Sequence, residues 1–428
     1  MGGVGWPTTS SSAVSVEPMS VSPARRAAFD VVLRVFEEDA YADRALRSAA
    51  ATLDGRDRAL AQRLAFGTVQ RVRTLDHAID TLGKRPVRKL DPPVRAALRL
   101  GAYQLGFSDV PEHAAVNETV ELVRAARLER AVAFANAVMR RLAGGLPSLL
   151  ASLREATATD AALKHSYPDW IAQLWWLELG RDETLALLRA QNEPPERVVR
   201  LNRRKPDHVD GRPDPDLPDA LHVERIDEDA LAAGLVWPQS RGSQLAGLVV
   251  DARPGERTLD LCAAPGGKAT QLEGEVVAVE LHPGRARELA ENVRVLGANN
   301  VSVVNADATK LPPELTGFDR ILVDAPCSGL GVLAARPDLR WRARPLPELQ
   351  RELLRVAAER VRPGGTIVYS VCTINSQEAE AVVDASGLRV EPLGDEWPQF
   401  AQARRPEFLQ TLPHRHGTSG FFIARLST

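Results

Sequence analysis

The sequence predicts an all-α domain, then a small mixed α/β segment, then a doubly wound α/β domain, along 428 residues. Three observations support this order. Apolar residues recur at helical spacing over residues 21–146, a tryptophan-rich helix and a short apolar strand follow, and strands alternate with helices from residue 241 onwards. A chain of this length has room for two or three domains, each with its own core.

Domain boundaries follow from changes in composition along the chain. Residues 1–20 are rich in Gly, Ser and Thr and predict a disordered tail, with neither the basic start nor the apolar stretch of a signal peptide. We predict a helical domain at 21–146, a linker at 147–163, the mixed segment at 164–240 and the doubly wound domain at 241–428.

The overall composition, 44% apolar and 26% charged, is typical of a soluble globular protein. No apolar run reaches membrane-spanning length, so no membrane partner is expected. The three cysteines are scattered with no close pair, which argues against a disulfide framework and a zinc cluster, so we expect no metal. A reducing cytoplasm is the compartment that fits this cysteine usage.

Positive charge is concentrated in the predicted helical domain. Residues 21–146 hold 21 Lys and Arg against 15 Asp and Glu, a net charge of +6, whereas the rest of the chain carries −8. Most of these cations are arginines, whose planar guanidinium suits phosphate. On charge alone, a solvated helical surface with a mild basic bias is the simpler explanation. The best local candidate for a phosphate contact is Lys-Arg-Pro-Val-Arg-Lys at 84–89, between two predicted helices.

The doubly wound domain carries a loop of small residues after its first predicted strand. Its strands are predicted at 258–261, 276–280, 301–305, 320–324, 366–370, 388–391 and 420–425. The loop, followed by a predicted helix, consists of Cys262, Ala263, Ala264, Pro265, Gly266, Gly267 and Lys268. Small residues let the backbone approach a ligand closely, and a helix amino end favours a carboxylate or phosphate. The sequence here has neither a GxGxxG fingerprint nor a Walker loop.

Three acidic residues follow later strands: Glu280 ends the second, Asp307 follows the third and Asp324 ends the fourth. Ligands of a doubly wound sheet bind at the carboxyl ends of its strands. Glu280 is placed to hold ribose hydroxyls, and Asp307 to accept from an adenine amino group. Any one of these acids could instead cap a helix or turn. Three at successive strand ends, beside a loop without a phosphate motif, indicate the nucleoside cofactor S-adenosylmethionine.

All three cysteines lie beside predicted strand ends. Cys262 is in the loop just described, Cys327 is in Asp-Ala-Pro-Cys-Ser-Gly at 324–329, and Cys372 is in Tyr-Ser-Val-Cys-Thr at 369–373. Most free cysteines are small buried hydrophobes, and for Cys262 that interpretation is as good as a chemical one. The motifs around Cys327 and Cys372 favour chemistry. Their strands, the fourth and fifth, are neighbours in this fold, so both loops can face one substrate.

These motifs resemble those of a known family. The sequence is similar to the RNA (cytosine-5) methyltransferases of the Sun/Nol1/Nop2 family at 260–268, at 324–329, at 369–373 and at Arg-Pro-Asp-Leu-Arg-Trp, 336–341. The helical domain resembles the NusB-like RNA-binding fold at His-Ala-Ala-Val-Asn-Glu, 113–118, and at Phe-Ala-Asn-Ala-Val-Met-Arg-Arg-Leu, 134–142. Together the two parts resemble the bacterial methyltransferases of 16S ribosomal RNA, over nearly everything from Ser22 to Leu426.

The resemblance implies a Rossmann-like, S-adenosylmethionine-dependent domain that uses two sulfurs. Carbon 5 of cytosine becomes nucleophilic only when a thiolate adds to carbon 6. In the family, the cysteine matching Cys372 is the nucleophile and the one matching Cys327 assists product release. Asp324 would hydrogen-bond the edge of the cytosine, and Lys268 would lower the pKa of the thiolate or steady the polarised base.

The sequence departs from the family pattern beside the predicted nucleophile. The family has Thr where Val371 stands and Ser where Thr373 stands, so the hydroxyl before Cys372 is absent. Gln-Glu-Ala-Glu at 377–380 stands in place of the usual acidic pair. These departures concern the positioning of Cys372 and not its role.

The sequence leaves three functions open. The first is methylation of a cytosine in 16S ribosomal RNA, free or in an early assembly state. The second is the same chemistry on transfer RNA or at another ribosomal site. The third is an RNA-binding assembly factor whose catalytic domain is vestigial. The NusB-like domain favours the first, and the intact set of Cys327, Cys372 and Asp324 argues against the third.

Overall fold

The computed structural model of the chain describes residues 21–428, so the predicted tail at 1–20 lies outside the described residues. The chain forms two compact units, which divide between Ser152 and Leu153. Within residues 21–428, no helix is both long enough and apolar enough to cross a membrane.

The first unit is all-α, as predicted. Its helices are α1 Pro23–Glu37, α2 Ala42–Ala49, α3 Gly55–Gly83, α4 Pro92–Phe107, α5 Glu112–Ala125 and α6 Glu129–Ser152, with a 3₁₀ turn at Val87–Lys89. Pro23 occupies the first turn of α1 as expected. The buried faces of these helices form the core of the unit, with Phe29, Leu64, Leu98 and Met139 all nearly inaccessible to solvent.

The segment predicted as a linker, 147–163, is mostly helical. Helix α6 continues through Pro147 to Ser152, and the next helix begins at Ala158. Proline removes one helical hydrogen bond, but apolar packing carries α6 onwards. The side chains of Leu146 and Leu150 both lie against Gly106 of α4.

The second unit contains the predicted mixed segment together with the doubly wound domain. Its helices are α7 Ala158–His165, α8 Asp169–Leu179, α9 Arg181–Ala190, α10 Glu228–Ala232, α11 Arg241–Val250, α12 Pro283–Val295, α13 Leu339–Arg342, α14 Pro347–Arg360, α15 Glu380–Ser386 and α16 Pro413–His416. Short 3₁₀ turns lie at Ala269–Gln271, Ala308–Lys310 and Pro398–Phe400. Its strands are β1 Val198–Leu201, β2 Arg212–Pro213, β3 Ala220–His222, β4 Val236–Pro238, β5 Arg257–Asp260, β6 Glu275–Glu280, β7 Val301–Asn305, β8 Phe318–Asp324, β9 Val361–Val371, β10 Arg389–Glu391, β11 Leu409–Thr411 and β12 Phe421–Ser427.

The mixed segment packs against the doubly wound part of the same unit. Strands β1–β4 form a small antiparallel sheet in the order β2-β3-β1-β4. Trp175 of α8 is completely buried, and its indole Nε1 donates to the carbonyl oxygen of Ile374 at 2.8 Å. Arg340, from the motif at 336–341, is also buried, with its guanidinium 3.9 Å from the centre of the Tyr167 ring. These side chains therefore join the mixed segment to the loops that follow the catalytic strands.

The large sheet has the order β10-β12-β9-β8-β5-β6-β7, with β11 paired to β12. Strands β5 to β9 are parallel. Strands β6 and β7 lie on one side of β5 and strands β8 and β9 on the other, so the strand order changes direction at β5. The doubly wound prediction is confirmed for these five strands. The C-terminal edge differs, because β12 runs antiparallel to β9 and makes the sheet mixed. Strand β11 was not among the predicted strands. It is only three residues long and pairs antiparallel with β12.

Alternate residues of the sheet face two separate cores. Val277 and Val279 of β6 belong to the cluster that contains α14 and α15, whereas Val276 and Ala278 belong to the cluster with α11 and α12. This period of two is the geometry of a strand covered by helices on both faces. The helices occupy both faces, so the edge formed by the carboxyl ends of the strands is where ligands can enter.

Candidate active site

The two predicted catalytic sulfurs meet at this edge of the sheet. Strands β8 and β9 are parallel neighbours, with Asp324 opposite Ser370, so the prediction that these two strands are adjacent is confirmed. Cys327 lies three residues beyond Asp324, and Cys372 lies two residues beyond Ser370. Their Sγ atoms are 3.4 Å apart, within hydrogen-bonding distance for sulfur, and they form no disulfide. A single planar base can therefore contact both sulfurs.

Backbone contacts hold the two cysteine loops together. The amide of Ala325 donates to the carbonyl oxygen of Ser370, and the amide of Gly331 donates to that of Cys372, both at 3.0 Å. Gly331 itself packs directly on the backbone of Gly420: a Cβ atom at Gly331 would lie 1.9 Å from the carbonyl oxygen of Gly420. Any side chain at this position would push the Cys327 loop away from the backbone of Gly420, just before β12.

The surroundings of the two sulfurs favour different protonation states. The hydrogen bond from Cys327 lowers the pKa of the Cys372 thiol, and the charge of Lys268 acts in the same direction, against the effect of burial and of Asp324. The hydrogen bond to Cys372 and burial raise the pKa of Cys327 well above its usual range, and the carboxylate of Glu378 adds to the increase. These directions favour the thiolate on Cys372 and the thiol on Cys327.

Lys268, which is nearly buried, and Asp324, which is partly exposed, form an ion pair beside the sulfurs. The Nζ atom of Lys268 donates to Asp324 Oδ2 at 2.7 Å, and the hydroxyl of Ser370 donates to Asp324 Oδ1 at 2.7 Å. The same ammonium lies 5.1 Å from the centre of the Phe421 ring. The structure thus brings together all four residues predicted to be catalytic: Cys327, Cys372, Asp324 and Lys268.

The small-residue loop connects β5 to β6 along the same edge. Gly266 has φ +108°, a backbone conformation that glycine adopts without strain. Arg285 donates to the carbonyl oxygen of Ala264 at 2.8 Å, and Asn292 donates to that of Pro265 at 2.9 Å, so α12 supports the loop from outside. The predicted helix after the loop is wrong. Only the 3₁₀ turn Ala269–Gln271 is present, because too few residues separate the loop from β6 to form a longer helix.

Cys262, the third cysteine, has a different environment from the other two. Burial raises the pKa of its thiol, and the nearby carboxylate of Asp260 raises it further. A thiol in such surroundings stays protonated and is a poor nucleophile. The alternative interpretation of Cys262 as a small packed residue of the loop therefore fits its environment.

The predicted cofactor acids lie at the ends of the parallel strands. Glu280 is buried at the end of β6, and its Oε1 accepts from the amide of His282 at 2.8 Å. Asp307 follows β7, the neighbour of β6, and caps the next turn: its Oδ1 accepts from the hydroxyl and the amide of Thr309, which lower its pKa. Both acids therefore cap local backbone or side-chain donors through one oxygen. The other oxygen of Glu280, Oε2, lies 3.6 Å from Nη1 of Arg285.

Asp260, at the end of β5, was missed by the sequence interpretation. Its side chain is buried, and Oδ2 has no hydrogen-bond partner within residues 21–428. Burial and the charge of Asp324 raise its pKa to about 7. A buried oxygen without a partner costs free energy unless a ligand satisfies it. Together with the loop at 262–268 and the strand-end acids Glu280 and Asp307, it forms a surface of hydrogen-bond acceptors. Such a surface suits the hydroxyl and amino groups of a nucleoside cofactor.

Glu378 is the second residue that the sequence interpretation did not assign to the site. It was noted only as part of the departure at 377–380, yet its carboxylate lies between the two cysteine loops. The one available signal was an acidic residue six positions after Cys372. Nothing in that spacing indicates which loop the side chain faces.

Comparison with known proteins identifies the family. Residues 247–427 match the family described as 16S rRNA methyltransferase RsmB/F, and residues 22–144 match the NusB family. The putative methyltransferase Rv1407 of Mycobacterium tuberculosis is 37% identical over 448 residues, covering 95% of this chain and 96% of that protein. The chain belongs to the RsmB/F family of 16S rRNA methyltransferases.

A further relative and a solved structure are similar to this chain over comparable lengths. The ribosomal RNA small subunit methyltransferase B of Thermus thermophilus is 36% identical over 397 residues, covering 90% of this chain and 92% of that protein. The crystal structure of PH0851 superposes with a TM-score of 0.81 at 25% identity, covering 96% of this chain and all of that one. The family to which this chain belongs is one of S-adenosylmethionine-dependent RNA methyltransferases.

Replacing Glu280 with alanine is expected to weaken the binding of S-adenosylmethionine by about ten- to a hundredfold, because a charged hydrogen-bond partner contributes roughly 1.5–3 kcal/mol. Titration calorimetry on the full chain measures this affinity. The matched control is Glu291→Ala on α12, since Glu291 is exposed and is paired with Arg294. Equal affinities for the two variants would exclude Glu280 from the cofactor site.

Proposed function

We propose that this protein methylates carbon 5 of a cytosine in 16S ribosomal RNA through a covalent bond between Cys372 and carbon 6 of the base. One observation carries the proposal. Two sulfurs lie 3.4 Å apart at the ends of adjacent strands, and their surroundings favour a thiolate on Cys372 and a thiol on Cys327. A site that needed only to bind a base and a methyl donor would have no use for this pair.

The proposed reaction begins with the Cys372 thiolate. A bond forms between its sulfur and carbon 6, and the electron pair of the carbon 5–carbon 6 bond moves to carbon 5. S-adenosylmethionine, when bound, supplies the electrophilic methyl group, which carbon 5 takes while the departing sulfur keeps the electron pair. The proton on carbon 5 then passes to a base such as water. The double bond re-forms, and the bond between carbon 6 and Cys372 breaks with its electron pair returned to sulfur.

Cys327, Asp324 and Lys268 have distinct parts in this proposal. The Cys327 thiol donates to the sulfur of Cys372 and stabilises it as it leaves carbon 6. Asp324 is partly exposed and faces the base, where its carboxylate can accept from the exocyclic amino group of cytosine. Lys268 balances the charge of Asp324 and favours the attacking thiolate. Because both sulfurs must be reduced to act, a reducing cytoplasm is the proposed compartment.

The cofactor is proposed to lie along the loop and the neighbouring strand ends. The backbone of residues 262–268 provides close approach, and Glu280 and Asp307 offer acceptors to the ribose and the adenine amino group. Asp324 closes the site on the side of the base. The buried Oδ2 of Asp260 provides a further acceptor at the start of the loop.

The helical unit is proposed to bind the RNA through the basic loop, residues 84–89. The amide of Val87 donates to Asp80 at 2.6 Å, and Val87 and Leu90 are buried, which fixes the shape of the loop. Lys84 and the other basic side chains of the loop remain exposed. Because Val87 and Leu90 already hold the loop in one shape, little conformational entropy is lost when its exposed cations contact a phosphate backbone.

Replacing Lys84, Arg88 and Lys89 together with glutamine is expected to weaken RNA binding. Log affinity falls as log salt concentration rises, and each lost phosphate contact makes this slope shallower by about 0.7–0.9. Filter binding of 16S rRNA at a series of salt concentrations measures both quantities. Affinity for S-adenosylmethionine should not change, because the substitutions lie in the other compact unit.

The matched control for the basic loop removes the same charge elsewhere. Arg287, Arg294 and Arg351 are exposed cations of the second unit, outside the proposed RNA contact. Their replacement with glutamine should leave a salt slope closer to that of the wild type. Identical slopes for the two triple variants would show that residues 84–89 have no special part in binding.

The proposed function is tested by transfer of a labelled methyl group. The purified chain is incubated with labelled S-adenosylmethionine and unmodified 16S rRNA, and the RNA is then digested to nucleosides. We expect the label in 5-methylcytidine. Label appearing only when transfer RNA is supplied would favour the alternative substrate, and absence of transfer to any RNA would favour an assembly factor without catalysis.

A further inference from the structure

The carboxylate of Glu378 is fully buried between the loops that carry the two cysteines. Its Oε1 accepts from the amide of Ser328, the residue after Cys327, at 2.9 Å. The same oxygen accepts from the amide of Leu346 at 3.0 Å and from the side chain of Gln350 at 3.1 Å. Gln350 in turn donates to the carbonyl oxygen of Pro326 at 2.9 Å, so both residues flanking Cys327 are held by this group.

The second oxygen of Glu378 reaches the other cysteine loop. Oε2 accepts a short hydrogen bond from the Ser328 hydroxyl and longer ones from Thr373 at 3.4 Å and Asn375 at 3.3 Å. The hydroxyls of Ser328 and Thr373 are 2.7 Å apart. Thr373 follows Cys372 directly, so a chain of hydroxyl groups connects the residue after each cysteine to one carboxylate.

The donors recorded around Glu378 are all neutral amides and hydroxyls. Burying an ionised carboxylate without a cation is costly, and only a complete set of hydrogen bonds makes it tolerable. An amide or an apolar residue of similar size would fill the space at lower cost. The negative charge is therefore the feature that requires a functional reason.

We propose that Glu378 is a positioning residue for product release, holding the Cys327 loop against the Cys372 loop so that the Cys327 thiol stays directed at the sulfur of Cys372. This inference rests on the proposed covalent function. It concerns the second half of the reaction, when the bond between carbon 6 and Cys372 breaks and its electron pair returns to sulfur. The hydrogen bond from Cys327 stabilises that departing thiolate.

The electrostatics of the pair agree with this role. The carboxylate of Glu378 contributes to raising the pKa of Cys327, which keeps a proton available on that sulfur. The charge of Lys268, on the other side of the pair, contributes to lowering the pKa of Cys372. A negative group beside one sulfur and a positive group beside the other therefore act in the same direction as the hydrogen bond between the sulfurs, which is the largest influence on both pKa values.

The test separates formation of the protein–RNA adduct from its decay. The full-length Glu378→Gln variant keeps the size of the side chain but removes its charge. It also places the NH2 group of an amide, itself a donor, among neighbours that are all hydrogen-bond donors. In a single turnover with 16S rRNA and S-adenosylmethionine, samples are quenched over time and the adduct is resolved by denaturing electrophoresis. We expect the adduct to form at close to the wild-type rate and to decay about ten- to a hundredfold more slowly. This is the effect expected from the loss of one charge-assisted hydrogen bond.

Glu380→Gln is the matched control. Glu380 lies two residues further along, and its carboxylate accepts from the side chain of Gln402, which is in neither cysteine loop. Its adduct should form and decay at wild-type rates. If Glu378→Gln does not fold, Ser328→Ala removes a single hydroxyl from the same network and should slow decay in the same direction.

Three results would overturn the inference. Wild-type decay in a folded Glu378→Gln or Ser328→Ala variant would show that the carboxylate does not act on release. Equal losses in formation and decay would show a general structural role. The first two results are informative when the wild type makes 5-methylcytosine and Cys327→Ser accumulates an adduct. Failure of both of those reactions would overturn the proposed function, and this inference with it.

Discussion

Replacing Cys372 with serine is expected to abolish methyl transfer to RNA, with a loss of roughly 10⁴-fold or more, as for other nucleophiles that form covalent intermediates. A serine hydroxyl is not ionised near neutral pH, so it cannot add to carbon 6 as a thiolate does. In this variant, position 372 carries no thiolate for the hydrogen bond from Cys327 to stabilise. Incorporation of labelled methyl into 16S rRNA measures the loss.

The control for this variant is cofactor affinity. Cys372 is at the end of β9 and is not part of the loop at 262–268, so calorimetry should give wild-type binding of S-adenosylmethionine. Unchanged binding with no transfer places the defect in the chemical step. Methyl transfer within about tenfold of the wild type would exclude nucleophilic attack by Cys372.

Replacing Cys327 with serine is expected to give the opposite phenotype. Attack by Cys372 and methyl transfer remain possible, but the departing sulfur loses its thiol donor at 3.4 Å. A covalent protein–RNA complex should therefore accumulate and survive denaturing electrophoresis, while turnover falls by about a hundredfold or more. Time courses of adduct and of released 5-methylcytosine, taken from the same reaction, distinguish slow release from slow attack.

The double variant Cys327→Ser, Cys372→Ser provides the control for trapping. It lacks the attacking sulfur, so the band should disappear if the adduct depends on Cys372. Normal turnover by Cys327→Ser, with trapping by Cys372→Ser, would reverse the two assigned roles.

The meeting of the two sulfurs could be predicted from the sequence, because the physical rule involved is simple. Apolar runs ending in Asp324 and Ser370 indicate strands, and parallel neighbours place their carboxyl ends on one edge. Glu280 and Asp307 were located by the same rule at the ends of β6 and β7. A residue whose position is set by its distance from a strand end is within reach of sequence analysis.

Other parts of the site could not be predicted, because they depend on contacts between distant segments. Glu378 receives hydrogen bonds from Ser328 in the Cys327 loop and from Leu346 and Gln350 at the start of α14, two stretches of chain that are distant from it in sequence. No local pattern records that convergence. The unpartnered oxygen of Asp260 is likewise a property of the packed interior and not of its motif.

Errors in the predicted elements have a similar physical origin. A linker was predicted to begin at residue 147, yet α6 continues through Pro147 to Ser152 because Leu146 and Leu150 pack on α4. The loop after β5 was expected to lead into a helix, but the chain has too few residues before β6 to form one. Local signals were outweighed by tertiary packing in the first case and by chain length in the second.

The most direct test of the covalent mechanism is to identify the residue that carries the RNA in the complex trapped by Cys327→Ser. The complex is digested with nuclease and protease, and the peptides are sequenced by mass spectrometry. We expect one peptide, containing Cys372, to carry the mass of a 5-methylcytosine nucleotide, because trapping occurs after methyl transfer. A nucleotide attached to Cys262 or to any residue other than Cys372, or the absence of a covalent complex in an active enzyme, would contradict the mechanism.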